Sequence, residues 1–223
     1  MHFSTPISVL ALAALSTAAP IEERAAKCTS YTIINTRGTS EVQGPSIAFR
    51  TMNSRVQSAL PGGKVYDTVY PAGSDQNSAA GTADIVNKIA STLKTNPGEC
   101  FVLEGYSQGA QATVNAMSKL TGASFDAVKG VFLVGNPSHK AGLACNVDNK
   151  GGDATKNVNG LSSSLGNVIP SNWVSKTLDV CIEGDGVCDA TGGFGVDLQH
   201  TLYGSDSSTQ SLGEKYIETS LGA

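Results

Sequence analysis

The sequence has few charged residues and no run of positive ones. Lys, Arg, Asp and Glu make up 15% of the 223 residues, and the net charge is −4 at pH 7. Nucleic acids and anionic membrane surfaces are bound through basic patches, so neither is an expected partner of this chain. The hydrophobic share of 40% is typical of a globular protein. A chain of this length can form one domain with a sizeable core.

Histidine is scarce, and this limits both metal binding and base catalysis. The chain has three histidines, His2, His139 and His200, and they are too few and too scattered for a zinc site. We therefore expect no metal and no organic cofactor.

No stretch is apolar for the roughly 20 residues that span a bilayer, so we expect no stable membrane insertion. Residues 1–19, MHFSTPISVLALAALSTAA, carry no charged side chain and end in small residues after a short apolar run. This pattern is typical of a secretory signal peptide, and a buried N-terminal helix is the alternative. Residues 20–26 fit a short propeptide. We predict a secreted, extracellular protein, expected to be a monomer, with one catalytic domain over 27–223.

The five cysteines agree with an oxidising compartment, because secreted domains form disulfides. Cys181 and Cys188 close a short loop, CIEGDGVC. A bridge from Cys28 to Cys100 would tie the start of the mature domain to a central strand. Cys145 would then be left over, as a free buried thiol.

Apolar stretches of strand type alternate with amphipathic stretches of helix type. The pattern predicts strands over 31–36, 64–70, 100–106, 128–137 and 176–181, and helices over 45–60, 81–99, 107–120 and 211–221. The polar stretch 138–175 is interpreted as long surface loops. Alternation of this kind predicts an α/β fold of three layers, with a mostly parallel sheet covered by helices on both faces. No insertion is long enough to form an obvious lid.

The segment FVLEGYSQGAQATV places Ser107 in G-Y-S-Q-G, between a predicted strand and a predicted helix. This is the nucleophile-elbow pattern of α/β-hydrolases, in which a tight turn lifts a serine hydroxyl above the sheet. A plain turn serine is the alternative. The context of a strand before and a helix after favours a nucleophile.

A serine hydroxyl needs a base, and the base needs a carboxylate to orient it. The order Ser, acid, His of this fold favours His200, whereas His139 is interpreted as a loop histidine with local hydrogen bonds. The candidate acids are Asp179, Glu183, Asp185, Asp189 and Asp197. We favour Asp185, because a disulfide-closed loop after the last strand is a rigid mount for it.

Backbone N–H groups are the expected stabilisers of an oxyanion, starting with that of Gln108 directly after Ser107. The loop RGTSE after the first strand offers Thr39 as a second donor, or is an ordinary polar loop. Alternate positions of FGVDLQH hold the apolar residues Phe194, Val196 and Leu198. They are expected to form an apolar wall for an acyl chain, and the alternative is that they pack in the core. Tyr106, next to Ser107, is also expected to contact substrate.

Five segments together resemble the fungal cutinases, and most closely the cutinase-like esterases of fungi and yeasts. They are INTRGTSE, GYSQGA, VGNPSHKAGLACNVD, CIEGDGVCD and LQHTLYG. The resemblance extends from about Cys28 to the C-terminus. G-Y-S-Q-G alone occurs in many hydrolases, but the joint order of these segments is much more specific.

The resemblance implies an α/β-hydrolase fold and a serine esterase with a catalytic triad. It implies Ser107 as nucleophile, Asp185 as acid and His200 as base, with Thr39 and Gln108 in the oxyanion hole. It also implies the disulfides Cys28–Cys100 and Cys181–Cys188. Cutinases often have Ser where Thr39 stands, so this position adds a methyl group to the hole.

Three functions remain open at this level. The resemblance favours a cutinase acting on cutin, on related polyesters, natural or synthetic, and on short- to medium-chain acyl esters at lipid or polyester surfaces. An acetylxylan esterase of the same family is the alternative. A surface-binding protein without turnover is the third, although binding needs no complete Ser, Asp and His set.

Overall fold

A computed structural model of the protein describes residues 1–2, 28–191 and 193–223. The predicted signal peptide from residue 3 onward and the predicted propeptide lie outside these residues. The strands are β1 (Tyr31–Thr36), β2 (Gly63–Asp67), β3 (Cys100–Tyr106), β4 (Val128–Val134), β5 (Asn146–Val147) and β6 (Thr177–Val180). The α-helices are α1 (Arg50–Ala59), α2 (Ala79–Thr95), α3 (Gln108–Met117), α4 (Ala123–Ala127) and α5 (Ser207–Ser220). Short 3₁₀-helices occupy Ser163–Leu165, Ser171–Lys176 and Gln199–Thr201. Among the described residues, no helix is long and apolar enough to cross a bilayer.

The strands form one sheet in the order β2-β1-β3-β4-β6-β5, with every neighbouring pair parallel. All residues of β1 and β3 are buried, as expected for central strands covered on both faces. Because the strands run parallel, β1, β3, β4 and β6 all end at the same edge of the sheet. The loops that follow them therefore lie close together, where ligands of such sheets bind.

Two apolar cores lie on opposite faces of the sheet, because successive side chains of a strand point to opposite sides. Ile34 and Leu103 belong to the core beneath α2 and α3. Ile33 and Val102 belong to the core beneath α1 and α5. The three-layer α/β arrangement predicted from the sequence is thus confirmed.

Helix α2 shows how the sequence determines which face of a helix is buried and where the helix ends. Ile85 and Ile89 are fully buried on one face, one helical turn apart. The helix ends just before Asn96, because the proline that follows restricts Asn96 to extended backbone.

Several boundaries differ from the prediction. The first helix begins at Arg50 and not at residue 45. The prediction for 138–175 as surface loops alone is wrong, because it contains β5, two 3₁₀-helices and the buried Trp173. A two-residue strand carries too little periodicity to be recognised, and its pairing with β6 is a long-range contact.

Candidate active site

Ser107 occupies the turn between β3 and α3. Its φ of 55° and ψ of −120° lie in a region that residues with a side chain rarely adopt. The turn is possible because Gly109 allows close packing: a Cβ there would overlap the backbone carbonyls of Thr36 and Arg37. Gly105 and Gly109 therefore allow the backbone of neighbouring segments to pack closely, whereas the strained backbone conformation is that of Ser107.

Ser107, His200 and Asp185 form one chain of hydrogen bonds. The Ser107 hydroxyl lies 2.9 Å from Nε2 of His200. Nδ1 of His200 lies 2.9 and 3.0 Å from the two carboxylate oxygens of Asp185. With Nδ1 protonated, Nε2 is free to accept the proton of the serine hydroxyl. All three side chains are buried, which strengthens their electrostatic coupling.

Asp185 is held by several groups of its own loop and of the following turn. The Cys181–Cys188 disulfide closes this loop. Val187 N–H donates to Oδ1 of Asp185 at 2.9 Å, and the Tyr203 hydroxyl donates to Oδ2. Burial raises the pKa of Tyr203 well above its usual range, and the nearby Asp185 charge adds to this effect. Tyr203 thus remains a neutral hydrogen-bond donor.

The backbone of His200 is fixed from two sides. Oδ1 of Asp197 accepts from His200 N–H at 3.0 Å, and Oδ2 accepts from Gly186 N–H at 2.8 Å. Asp197 therefore joins the histidine segment to the Asp185 loop. On the other side, the Tyr106 hydroxyl donates to the His200 carbonyl at 2.8 Å, and the two rings lie 5.2 Å apart.

The loop after β1 brings Thr39 to the same edge of the sheet. Buried Arg37 holds this loop by donating to the carbonyls of Glu41 and Thr68 at 2.8 and 3.2 Å. The Thr39 hydroxyl bonds to the side chain of Gln76. Within the described residues, the backbone N–H groups of Thr39 and Gln108 have no acceptor in the protein. Gln108 is also the first residue of α3, where the helix favours negative charge.

A cavity of about 290 Å³ opens above Ser107. It brings together the predicted site residues Thr39, Ser107, Gln108 and Val196. Its other walls are Gln76, Gln111, Pro137, Leu161, Ser162, Val187 and Gly195. Most of the surface that lines the cavity is apolar.

The three predicted wall residues before His200 lie in a strongly exposed segment. Phe194, Val196 and Leu198 are 90%, 72% and 68% exposed, so the alternative of core packing is wrong for them. Val196 lines the cavity, whereas Leu198 lies outside its lining, on the open surface. Together they form an exposed apolar rim, a feature typical of surfaces that bind apolar partners.

Tyr106 differs from its prediction. It is buried against the α1 and α5 face of the sheet and does not line the cavity. Adjacent residues of an extended strand point to opposite sides, so the residue before the nucleophile points away from the cavity. Its contact is with the backbone of His200 and not with the space where a substrate would bind.

His139 also differs from its prediction as a loop histidine with local hydrogen bonds. It is fully buried, and its Nδ1 lies 2.9 Å from Oδ2 of Asp179 in β6, forty positions along the chain. Its Nε2 lies 3.0 Å from the carbonyl of Thr155. Burial alone lowers the pKa of His139, but the charge and hydrogen bond of Asp179 outweigh it and raise the pKa overall. The pair fastens the loop after β4 and lies apart from Ser107.

Both disulfides implied by the resemblance are present, Cys28–Cys100 and Cys181–Cys188, and Cys145 is a buried free thiol. Burial raises the pKa of Cys145 to about 12, so it is an unreactive thiol at neutral pH.

Sequence reasoning missed Tyr203 and the far walls of the cavity. Tyr203 lies within LQHTLYG, three residues after His200, and this spacing is the signal that points to it. Gln111 lies four residues after Ser107, so helical spacing places its side chain on the same side of α3 as Ser107. Leu161 and Ser162 come from the stretch that the sequence pattern left as loops, and no local signal marks them.

Comparison with known proteins identifies the family. The family model for cutinase matches residues 27–219. Cutinase cut1 of Trichoderma harzianum is 30% identical over 190 residues, which are 82% of this chain and 64% of that protein, so the chain spans less than two thirds of that relative.

Solved structures give the same result for the fold. A cutinase-like protein from Cryptococcus sp. is 57% identical with a TM-score of 0.87, covering 89% of this chain and 98% of that one. An iodinated complex of acetyl xylan esterase has a TM-score of 0.70 at 22% identity and covers 87% of this chain and all of that one, a likeness of fold alone. Because the family model spans nearly all of the described chain, the protein belongs to the cutinase family and is a carboxylic ester hydrolase.

Proposed function

We propose that this protein is a secreted serine esterase that hydrolyses cutin, related polyesters and short- to medium-chain acyl esters. The observation that carries the proposal is the unbroken hydrogen-bond chain from Asp185 through His200 to Ser107. Its serine lies in a strained turn at the end of a central strand and lines the cavity, as a nucleophile that must reach substrate requires. A binding protein has no need of such an arrangement.

The proposed reaction has two halves. Ser107 Oγ attacks the ester carbonyl carbon while its proton passes to Nε2 of His200. The resulting imidazolium is stabilised by the Asp185 carboxylate. His200 then gives its proton to the leaving alcohol as the carbon–oxygen bond breaks. In the second half, water loses a proton to His200 and attacks the acyl-enzyme, which releases the acid and restores Ser107.

The oxyanion of each tetrahedral intermediate would rest on the N–H groups of Thr39 and Gln108. Both groups lie next to the cavity and lack protein acceptors, so they are available without rearrangement. The Thr39 hydroxyl, now shared with Gln76, is a third donor that can turn toward the oxyanion.

The acyl preference is inferred from the surroundings of the cavity. Val196, Leu161 and Val187 give it apolar walls, and Val196 belongs to the exposed apolar rim that also includes Phe194 and Leu198. An apolar rim favours long acyl chains and hydrophobic polymer surfaces over acetylated sugars, whose backbone is strongly hydrated. Acetylxylan esterase activity is therefore the second candidate, supported by fold likeness alone.

Hydrolysis of p-nitrophenyl esters from acetate to palmitate, beside Ser107→Ala, tests this proposal. We expect activity on butyrate and longer chains that is lost in Ser107→Ala, and release of acids from cutin and from polyester film. Activity confined to acetate, with release from acetylated xylan, would favour the second candidate. Activity that survives in Ser107→Ala would exclude Ser107 as nucleophile.

Secretion is part of the proposal. Two disulfides and the apolar N-terminal segment support it, because disulfides persist in oxidising compartments. Expression of the full chain in a fungal host, followed by N-terminal sequencing of protein from the medium, tests it. We expect a mature N-terminus between residues 20 and 28, and retention of the full chain in the cells would contradict it.

A further inference from the structure

A second cavity, larger than the catalytic one, lies between α2 and α3. Its volume is about 890 Å³, against about 290 Å³ above Ser107. One wall is the outer face of α2 from Ala79 to Asn87, and another is the end of α3 with the turn after it. Residues 166–170 close the third side. We call this cavity the α2–α3 groove.

Two of the three walls of the groove continue directly from the catalytic cavity. Gln111 lines the catalytic cavity and Asn115 lines the groove, and their side chains share a hydrogen bond of 3.1 Å. They lie one turn apart on the same face of α3. Likewise, Gln76 lines the catalytic cavity, and Ala79, three residues later, lines the groove.

The third wall repeats this relation. Ser162 lines the catalytic cavity and Gly166 lines the groove, with the short 3₁₀-helix between them. Leu165 lies at this junction with its side chain exposed. Since three separate segments pass from the lining of one cavity to that of the other within four residues, the groove lies directly beside the catalytic cavity.

The lining of the groove suits an uncharged chain with both apolar and polar groups. Val86, Val168 and Pro170 provide apolar surface, and the amides of Asn87, Asn115 and Asn167 provide donors and acceptors. Lys119 is the one charged side chain in this lining, and no carboxylate is present. Methylene runs interrupted by ester carbonyls and hydroxyl groups match such a surface, with amide N–H groups donating to the oxygens.

We propose that the α2–α3 groove binds the portion of a polyester chain that extends beyond the scissile ester, namely a segment of linked hydroxy fatty acids. This inference rests on the proposed esterase function and adds a distal subsite to it. The wall from Ala79 to Asn87 is about 12 Å long, so the groove holds a segment longer than a butyryl group. Polymers and oligomers would gain affinity there that a short ester cannot.

The chain offers a matched pair of variants for the test. Ala83 is exposed on α2 and lines the groove, so Ala83→Trp would fill it. Ala90 is exposed on the same helix and lies outside the lining of the groove. Ala90→Trp therefore changes helix propensity as Ala83→Trp does, but it does not fill the groove. Asn87→Trp, one turn from Ala83, is a second obstruction if Ala83→Trp folds poorly. The substrates are oligomers of 6-hydroxyhexanoic acid with two to six units, and p-nitrophenyl butyrate.

For the wild type, we expect kcat/KM to rise with oligomer length until the groove is filled. Ala83→Trp should lower kcat/KM for the hexamer about tenfold, the loss expected when about 50 Å² of apolar substrate surface stays in water. Its activity on p-nitrophenyl butyrate, and both activities of Ala90→Trp, should stay within about twofold of the wild type.

Three outcomes would overturn the inference. The first is an equal loss of hexamer activity in Ala83→Trp and in Ala90→Trp, because the loss would then not depend on filling the groove. Equal loss of both activities in Ala83→Trp would mean a general effect on the fold, and Asn87→Trp would then decide. If kcat/KM does not depend on oligomer length while butyrate hydrolysis is normal, the groove is not a distal subsite, but the proposed esterase function still stands. Length-dependent activity on acetylated xylo-oligosaccharides that Ala83→Trp abolishes would assign the groove to a sugar chain. Absence of butyrate hydrolysis in the wild type would instead contradict the proposed function.

Discussion

Glu104 is a fully buried carboxylic acid in β3, the strand that ends at Ser107. One of its oxygens accepts from Nδ2 of Asn53 at 2.8 Å. Its other oxygen and Oδ1 of Asn53 have no partner within the described chain. Burial raises the pKa of Glu104 to about 8, with the Asn53 hydrogen bond opposing the shift and the charge of Asp67 adding to it. Glu104 is therefore protonated at neutral pH.

The raised pKa makes the free energy of unfolding depend on pH. The folded state holds the proton more tightly than the unfolded state, whose carboxyl has a pKa of 4.5. Stability from this group is therefore greatest below pH 4.5 and falls as the pH rises toward 8. At about 1.4 kcal/mol per pH unit, the wild type should lose about 3 kcal/mol between pH 5 and pH 8 through Glu104.

Glu104→Gln removes this titration and keeps both the shape and an acceptor for Asn53. At pH 5 we expect the variant and the wild type to differ by less than about 1 kcal/mol. At pH 8 the variant should be more stable by about 3 kcal/mol, or roughly 6–12 °C in Tm for a domain of this size. Urea denaturation at pH 5, 6, 7 and 8 measures the difference.

The control is Glu183→Gln, which changes an exposed carboxylate in the same way. Its difference from the wild type should stay within about 0.5 kcal/mol at each pH. If the difference between Glu104→Gln and the wild type is the same at pH 5 and at pH 8, Glu104 does not titrate in this range and the reasoning from burial is refuted.

Three further predictions concern the site and its supports. Asp185→Asn should lower kcat on p-nitrophenyl butyrate by about three to four orders of magnitude at pH 7, because the amide favours the wrong tautomer of the histidine; a loss below tenfold would contradict this. Tyr203→Phe removes a hydrogen-bond donor to Asp185 and the acceptor of Ile182 N–H. We therefore expect kcat to fall about tenfold with KM unchanged. A change in KM alone would argue against a positioning role for Tyr203. The raised pKa of His139 means that its pairing with Asp179 stabilises the fold below about pH 6.5 and is lost as the pH rises through the folded-state pKa. Denaturation of His139→Gln should therefore show a larger loss of stability at pH 5.5 than at pH 8.5, and a uniform loss would count against the charged pair.

Local patterns were sufficient for the central strands and for the position of Ser107. Strands such as β1 and β3 are buried on both faces, so their apolar runs are continuous and end where polar turn residues begin. The glycine spacing around Ser107 reflects backbone contacts that leave no room for a side chain. Features of this kind depend on a few neighbouring residues and are visible without the fold.

The features that the sequence pattern did not predict depend on contacts between residues far apart in the chain. The partner of His139 lies in β6, and the strand β5 exists only through its pairing with that same strand. Tyr106 was predicted to contact substrate from its sequence neighbour, but strand alternation turns it to the other face. The groove between α2 and α3 is formed by three segments far apart in sequence, and none of them carries a motif.

The measurement that tests the central claim most directly is covalent labelling with a p-nitrophenyl alkylphosphonate, followed by peptide mass spectrometry. The phosphonate presents a tetrahedral phosphorus to the nucleophile and stays attached after p-nitrophenolate leaves. We predict stoichiometric labelling of the peptide that contains Ser107, with parallel loss of esterase activity and no label in Ser107→Ala. Inactivation with the label on another residue, or full esterase activity in an unlabelled protein, would contradict the assignment of Ser107 as nucleophile.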